Sequence, residues 1–253
     1  MSAIIRDIAL DLNSVLRVEK FKDYCVNGLQ VEAGESVTRL VTGVTASQAL
    51  IEAAIETGAQ LLLVHHGYFW RGEEPQITGM KGRRIQSLMR SGISLLAYHL
   101  PLDAHPELGN NAQLGRVLGF TDAATLEQES ANGLVMTGNT PHPMSFSAFS
   151  DHLAQKLGHH CVAVSGGNGE IQRVAWCTGA AQGFIDIASS AGVDAYVTGE
   201  ISEQTTHFAR ENDIHFFAAG HHATERYGVQ AVGQYLANKF SIEHRFIDID
   251  NPA

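Results

Sequence analysis

Histidine and carboxylate side chains follow several apolar segments of this 253-residue chain, at spacings that suit metal binding. His65 and His66 follow LLLV, Asp103 lies in HLPLD, and His221 and Glu225 lie in GHHATE. Imidazole and carboxylate groups without a thiolate suit manganese, iron or zinc better than calcium. Five such ligands are too many for one catalytic ion that keeps an open position. They predict two divalent ions about 3.5–4 Å apart, with one carboxylate bridging them.

The spacing within two of these motifs suggests how the ligands are shared. Adjacent strand residues point to opposite faces, so His65 and His66 suit two neighbouring ions better than one. A plainer interpretation is that the two imidazoles form a hydrogen-bonded pair that caps a strand. His221 and Glu225 are four residues apart where a helix is expected to begin, which places both side chains on one side of its first turn.

His99 and Glu200 are the candidate catalytic residues. His99, in HLPLD, either orients the ligands through a hydrogen bond or contacts the substrate. Glu200, at the end of VTGE, is either a general acid or base, or a cap for the helix expected near Ser202, and capping is the favoured interpretation. Pro101 predicts that HLPLD is a turn, from which Asp103 points back across the strand ends.

Apolar segments of strand length alternate with helical segments, and this order occurs twice. The two stretches align without a gap, with Arg39 on Arg173 and Gly58 on Gly192. Such matches also arise by chance between unrelated α/β units, but the shared order of elements favours a duplication. The prediction is an α/β protein of two similar three-layer halves with mainly parallel sheets, and a dinuclear metal site between them.

The same patterns divide the chain into three parts. Residues 1–124 form the first α/β half, with the HH and HLPLD motifs, and residues 173–253 form the second, with GHHATE. Residues 125–172 contain a strand (GLVMTG), a proline-rich loop, a helix and a further strand (CVAVSG). This central segment either begins the second half or forms a small insertion.

Charge and composition exclude several classes of function. The net charge of −10, from 27 acidic and 17 basic residues, makes nucleic acid an unlikely partner. Cys25, Cys161 and Cys177 show no C-x-x-C spacing, which argues against disulfides and thiolate zinc and fits the cytoplasm. Arg6 and Asp7 interrupt the apolar N-terminal segment, so neither a signal peptide nor a membrane partner is expected.

Six segments of the chain have a distinctive sequence: NGLQVE, TGVTASQAL, VHHGYFW, HLPLDAHPELGNNAQL, TGE and GHHATER. Together they closely resemble the Nif-three-like family, also called the GTP cyclohydrolase I type 2 family, and above all its bacterial YbgI-like branch. The likeness covers nearly the whole chain, although residues 121–170 match loosely. It implies a two-half α/β subunit with a dinuclear metal centre and a ring-shaped homohexameric assembly.

The resemblance also implies a role for each ligand. Glu225 bridges the two ions, His65 and Asp103 complete one of them, and His221 and His66 complete the other. The family name implies that the guanine ring of GTP is opened and formate released. The expected function is therefore a metal-dependent hydrolase that acts on a small, nucleotide-like substrate through a metal-bound hydroxide. The alternative is a non-enzymatic, metal-stabilised ring that scaffolds or regulates another macromolecule.

Overall fold

The structure is a computed structural model that describes residues 2–127 and 133–253. Its first elements, in chain order, are β1 (Ala3–Ile4), α1 (Ile5–Val15), β2 (Gly28–Val31), β3 (Ser36–Val37), β4 (Arg39–Thr45), α2 (Gln48–Glu56), β5 (Leu61–His66), α3 (Gly79–Arg90), β6 (Ser94–Ala97) and α4 (Leu100–Ala104). The next are α5 (Asn110–Leu118), β7 (Thr121–Thr125), β8 (Met136–Met144), α6 (Phe146–Leu157), β9 (Val162–Val164), β10 (Ile171–Trp176), α7 (Ile185–Ser190), β11 (Ala195–Thr198), α8 (Glu203–Glu211), β12 (His215–Ala218), α9 (His221–Thr224), α10 (Arg226–Phe240) and β13 (Glu243–Phe246). The protein therefore has the predicted α/β character.

The chain folds into two compact units. The first unit contains Met1–Leu102 and Gly228–Asp250, and the second contains Asp103–Tyr227 and Asn251–Ala253. These limits differ from the predicted halves because the end of the chain returns to the first unit, where β13 pairs in parallel with β4. The sequence order of the elements could not show this return, since strand pairing depends on hydrogen bonds between distant residues.

The sheet of the first unit has the strand order β13-β4-β5-β6-β2. Its pairings are parallel except for that of β2 with β6, which is antiparallel. The LLLV segment of β5 is fully buried, as its continuous apolar sequence predicts for a strand covered on both faces. On one face, Leu62 and Val64 pack in a core with Leu50 and Ile51 of α2 and Leu88 of α3.

The sheet of the second unit has the order β7-β8-β10-β11-β12-β9 and is mixed. The three central strands β10, β11 and β12 are parallel to one another. β8 pairs antiparallel with β10, and β9 pairs antiparallel with β12. The expectation of a mainly parallel sheet is therefore wrong for this unit. The central segment explains the difference, because it supplies β8 and β9 to the sheet rather than forming a separate insertion. Part of that segment, residues 128–132, lies outside the described residues.

Both proline-containing segments differ from their predicted loops. HLPLD is mostly helical, because α4 begins just before Pro101, and proline is tolerated in the first turn of a helix. The segment from Asn139 to Pro143 belongs to β8 and pairs with β10. Pairing of β8 with β7 ends at Asn139, so both prolines of that segment lie where one edge of the strand is open.

Within the described ranges, every helix is too short or too polar to cross a lipid bilayer.

The half-buried environment of His244 on β13 predicts a dependence of stability on pH. Its Nε2 lies 2.9 Å from Oγ1 of Thr42, and burial lowers the pKa of His244 below its ordinary value. The unfolded chain therefore takes up this proton first as the pH falls below about 6.5, and the native state loses stability. In urea denaturation, the free energy of unfolding should fall more between about pH 8 and about pH 5.5 in the wild type than in His244→Gln.

The exposed His207 supplies the matched control, because its imidazole pairs with the exposed Glu203 on the same helix. His207→Gln should keep the pH dependence of the wild type. An identical pH dependence in wild type and His244→Gln would show that His244 is not the group responsible.

Candidate metal centre

Three imidazoles of the first unit lie close together at the ends of two neighbouring strands. His65 and His66 end β5, and His99 follows β6. The ring centroids of His65 lie 4.5 Å from His66 and 5.0 Å from His99, and one nitrogen of each ring lies within 4.8 Å of the others. Because β5 and β6 are adjacent and parallel, their carboxyl ends meet at the same edge of the sheet. The cluster is therefore a direct product of the strand order.

Hydrogen bonds orient the imidazole rings of His65 and His66, and the one at His65 also sets its tautomer. Nδ1 of the fully buried His65 lies 2.9 Å from the carbonyl oxygen of Tyr98. A carbonyl only accepts hydrogen bonds, so Nδ1 carries the proton and Nε2 carries the lone pair that binds a metal. Nδ1 of His66 lies 3.2 Å from Oγ1 of Thr45 on β4, a hydroxyl that can either donate or accept this hydrogen bond.

Asp23 is a functional candidate that the sequence interpretation missed. Its Oδ1 lies 3.0 Å from Nδ1 of His99, and both side chains are more than 90 % buried. Its Oδ2 accepts hydrogen bonds from Nδ2 of Asn27 and from the backbone N–H of Leu100, each at 2.9 Å. Burial alone would raise the pKa of Asp23, but the hydrogen bonds from His99, Asn27 and Leu100 outweigh it and lower the pKa to about 2.

The ionised Asp23 therefore holds His99 with Nδ1 protonated and Nε2 directed elsewhere. No strand-end motif marks Asp23, which lies in the loop before β2. The signal that could have found it is Asn27 in NGLQVE, the segment that follows it. An Asn-Gly pair is by itself a common turn signal, whereas the side chain of this asparagine binds both Asp23 and the backbone N–H of His99.

The second unit brings together Asp103, His221 and Glu225. A carboxylate oxygen of Asp103 lies within 4.8 Å of one of Glu225, and Nε2 of His221 lies 3.2 Å from Oε2 of Glu225. The four-residue spacing thus places His221 and Glu225 side by side, across the short helix α9. Asp103 is oriented by Nδ2 of Asn110 at 2.9 Å and by Oγ1 of Thr178 at 3.3 Å.

Glu200 orients His221, and the favoured interpretation of Glu200 as a helix cap is wrong. Its Oε1 accepts a hydrogen bond from Nδ1 of His221 at 2.7 Å. Burial alone would lower the pKa of His221, but the carboxylates of Glu225 and Glu200 raise it to about 9. This part of the second unit therefore strongly favours a positive charge beside the two carboxylates, which either a proton or a metal cation supplies.

Two glycines give this cluster its close packing. Gly179 has a φ of +70°, and a β-carbon there would overlap the Glu225 carboxylate. A β-carbon at Gly199 would lie 2.7 Å from both the carbonyl oxygen of Gly179 and Cα of His221. Side chains at either position would displace the ligand residues, so these glycines form a cradle around them.

The donor chemistry fits a divalent transition metal. Within the described residues, the first unit contains three imidazoles, those of His65, His66 and His99, whose nitrogens approach one another closely enough to hold an ion. An imidazole whose Nδ1 is bound to an oxygen acceptor occurs in both units, which is the usual arrangement of metal-binding histidines. Fold and donor groups together define the class as an α/β protein with metal-binding potential.

A comparison with known families gives the chain its place within that class. A family model described as Duf34/NIF3 (NGG1p interacting factor 3) matches residues 3–252. The chain belongs to this family. The resemblance that six segments predicted is therefore confirmed.

Similar proteins match over their full lengths. A protein of Pseudomonas aeruginosa named GTP cyclohydrolase 1 type 2 homolog is 54% identical over 253 residues, which is 100% of both chains. A solved structure of the protein called ybgI, described as of unknown function, has a TM-score of 0.95 and 47% identity over 99% of this chain and 100% of that chain. A structure from Thermus thermophilus has a TM-score of 0.89 and 31% identity over 99% and 100% of the two chains.

Replacement of Gly199 tests the glycine cradle. Gly199→Ala should lower the free energy of unfolding by about 1–3 kcal/mol, because the added methyl group overlaps the backbone of His221. Gly183→Ala is the matched control in the same unit, since a β-carbon there meets nothing within 4 Å. Thermal denaturation of both variants checks this, and equal melting temperatures would contradict the close packing at Gly199.

Proposed function

We propose that this protein binds two divalent transition-metal ions per subunit, manganese, iron or zinc, and acts as a hydrolase on a small substrate. The proposed ligands are His65, His66, Asp103, His221 and Glu225. One observation carries the proposal: His65 and His221 each have Nδ1 bound to an oxygen acceptor, so Nε2 is the nitrogen of each ring that would bind a metal. At His221 the metal would replace the second proton, which the neighbouring carboxylates otherwise favour.

The proposal joins the two sets of donors into one dinuclear centre, as the family resemblance implies. His65, His66, Asp103, His221 and Glu225 would hold the two ions, and this ligand set rests on the family resemblance. The duplication of the two halves belongs to the same proposal.

Divalent ions supply a water whose proton is lost near neutral pH, which is the chemistry that hydrolysis needs. The protein's own groups would then bind and orient the substrate and move protons. His99 is the proposed proton carrier, because Asp23 fixes its Nδ1 and leaves Nε2 to exchange a proton. Glu200 acts through His221 and is a positioning residue rather than a general acid or base.

The name of the relatives suggests which substrate to test first. Proteins about half identical to this chain carry the name GTP cyclohydrolase 1 type 2 homolog. We therefore propose a nucleotide-like substrate, with GTP as the first to be tested. Family membership by itself does not fix a substrate, so the assay must extend to other nucleotides and phosphoesters.

We further propose that the subunits assemble as a homohexameric ring in the cytoplasm, which rests on the family resemblance. The competing function is a ring in which the metals only stabilise the assembly that scaffolds another macromolecule. Chelation separates the two functions. Loss of assembly on chelation, in a protein without turnover, would favour the scaffold.

The decisive experiment combines metal analysis with an activity screen. Elemental analysis after metal-replete expression should find about two equivalents per chain in the wild type. His65→Ala and Glu225→Ala should each lower this stoichiometry and abolish turnover in assays of formate and phosphate release, while sedimentation shows the same assembly as the wild type.

Exposed residues on α8 supply the matched controls. His207→Ala and Glu203→Ala remove the same chemical groups from the surface and should retain both metal and turnover. A wild-type stoichiometry near zero would overturn the metal centre. Full metal content without turnover on any nucleotide or phosphoester would overturn the hydrolase.

Truncation of Glu200 tests the orientation of His221. Glu200→Ala should weaken metal binding by about 10–100-fold, because His221 loses the acceptor that holds its Nδ1. Glu200→Gln should lose less, since its amide oxygen still accepts that hydrogen bond. Competition with a chromophoric chelator measures both affinities, and unchanged affinity in Glu200→Ala would show that this hydrogen bond does not support a ligand.

A further inference from the structure

Two aromatic rings lie beside the imidazole cluster of the first unit, and the proposed metal chemistry does not use them. The Tyr24 and Trp70 centroids are 6.0 Å apart, with an angle of 35° between the ring planes. The ring of His99 lies edge-on to both, at 5.0 Å from Tyr24 and 5.1 Å from Trp70. Trp70 also lies 6.0 Å from the ring of His66. Tyr24 and Trp70 are called the aromatic pair below.

Backbone hydrogen bonds hold the two loops that carry the aromatic pair. The N–H of Arg71 donates to the carbonyl oxygen of Tyr24 at 2.7 Å, and the guanidinium of Arg71 donates to the carbonyl oxygen of Asp23 at 3.1 Å. The backbone N–H of Trp70 donates to Oε2 of Glu73 at 3.1 Å. The rings are therefore presented on fixed backbone, and a ligand that stacks on them costs the protein little conformational entropy.

The exposure of the pair is unusual for aromatic side chains with a purely structural role. Tyr24 is 50 % exposed and Trp70 only partly buried, and the neighbouring Val26 is 49 % exposed. The indole Nε1 of Trp70 already donates to the carbonyl oxygen of Gly67 at 3.2 Å. The indole therefore contacts a ligand through its ring face. Stacking on that face favours planar groups over sugars and phosphates.

We propose that the aromatic pair stacks on a planar heteroaromatic ring of the substrate and places that ring beside His66 and His99. Trp70 is the specificity-determining residue, because its larger ring contacts both imidazoles. This inference rests on the proposed function for the identity of the site and for a nucleotide-like substrate. It adds the residues that would hold the flat nitrogen heterocycle of that substrate and so distinguish it from a sugar phosphate or an aliphatic ester.

Binding measurements test the aromatic pair independently of turnover. Isothermal titration compares guanosine, adenosine and cytidine monophosphates with ribose 5-phosphate, which lacks the ring. The wild type should bind at least one of the nucleotides at least tenfold more tightly than ribose 5-phosphate. Trp70→Ala should lose roughly tenfold in nucleotide affinity and none in ribose 5-phosphate affinity, while Trp70→Phe retains most of the preference.

Ile77→Ala is the matched control, since Ile77 lies in the same segment between β5 and α3 and is 55 % exposed. It should bind like the wild type. Tryptophan fluorescence gives a second readout, because the only other tryptophan, Trp176, is fully buried. Nucleotides should quench the wild type and leave Trp70→Phe unchanged.

The outcomes separate this inference from the proposed function. If no nucleotide binds more tightly than ribose 5-phosphate, or if Trp70→Ala keeps the preference with a wild-type melting temperature, the stacking role is overturned even in a metal-loaded, active protein. If the ring preference depends on Trp70 but the protein binds no metal and turns over nothing, the proposed function fails while the aromatic pair stands.

Discussion

The hydrogen bond from an imidazole Nδ1 to a fixed oxygen is the interaction on which the candidate site depends. It recurs with a carbonyl at His65 and with carboxylates at His99 and His221. Each bond fixes the proton on Nδ1 and one ring orientation, so the opposite nitrogen, Nε2, is the one available to bind a proton or a metal. A free imidazole would lose rotamer entropy to reach that orientation whenever it bound a metal or a proton.

The order of the strands in the first sheet supplies the oxygen partners of His65 and His66. The acceptor for His65 comes from Tyr98, which continues the neighbouring parallel strand β6, and the partner of His66 comes from β4 on the other side. Continuous apolar strands bury the sheet and keep these backbone positions rigid, which a surface loop could not do. The aromatic pair lies on loops instead, but Arg71 ties those loops together. The first unit thus combines rigid donors with a more exposed aromatic surface.

The electrostatics around His221 in the second unit explain why glycines are needed beside it. Two carboxylates around His221 raise its pKa to about 9 against the effect of burial, which shows how strongly that environment favours a cation. Bringing carboxylates so close to one another and to an imidazole requires backbone segments to approach within van der Waals contact, and Gly179 and Gly199 permit this. Asp103 accepts hydrogen bonds from two neutral donors, Asn110 and Thr178, which orient its carboxylate.

Sequence reasoning worked where a property is local. The apolar segments of β4, β5 and β6, the spacing of His221 and Glu225 and the six family segments could all be interpreted from neighbouring residues. It failed where the answer lay far along the chain: Asp23 has no motif of its own and acts through His99, and Glu200 has a signal for helix capping but binds His221 instead. The prediction of mainly parallel sheets did not include the antiparallel pairing of β8 and β9, because an apolar pattern is the same for either strand direction.

The amino-acid sequence by itself determined the α/β class, the family and the residue types that are able to hold a metal. Side-chain chemistry and the periodicity of apolar residues are properties of short segments, so neighbouring residues suffice to recognise them. Only the tertiary structure decided that β13 returns to the first sheet, that the second sheet is mixed and which oxygen orients each imidazole. Those outcomes rest on hydrogen bonds and packing between residues far apart in the chain, and such pairs are selected by the folded state as a whole rather than by any local pattern.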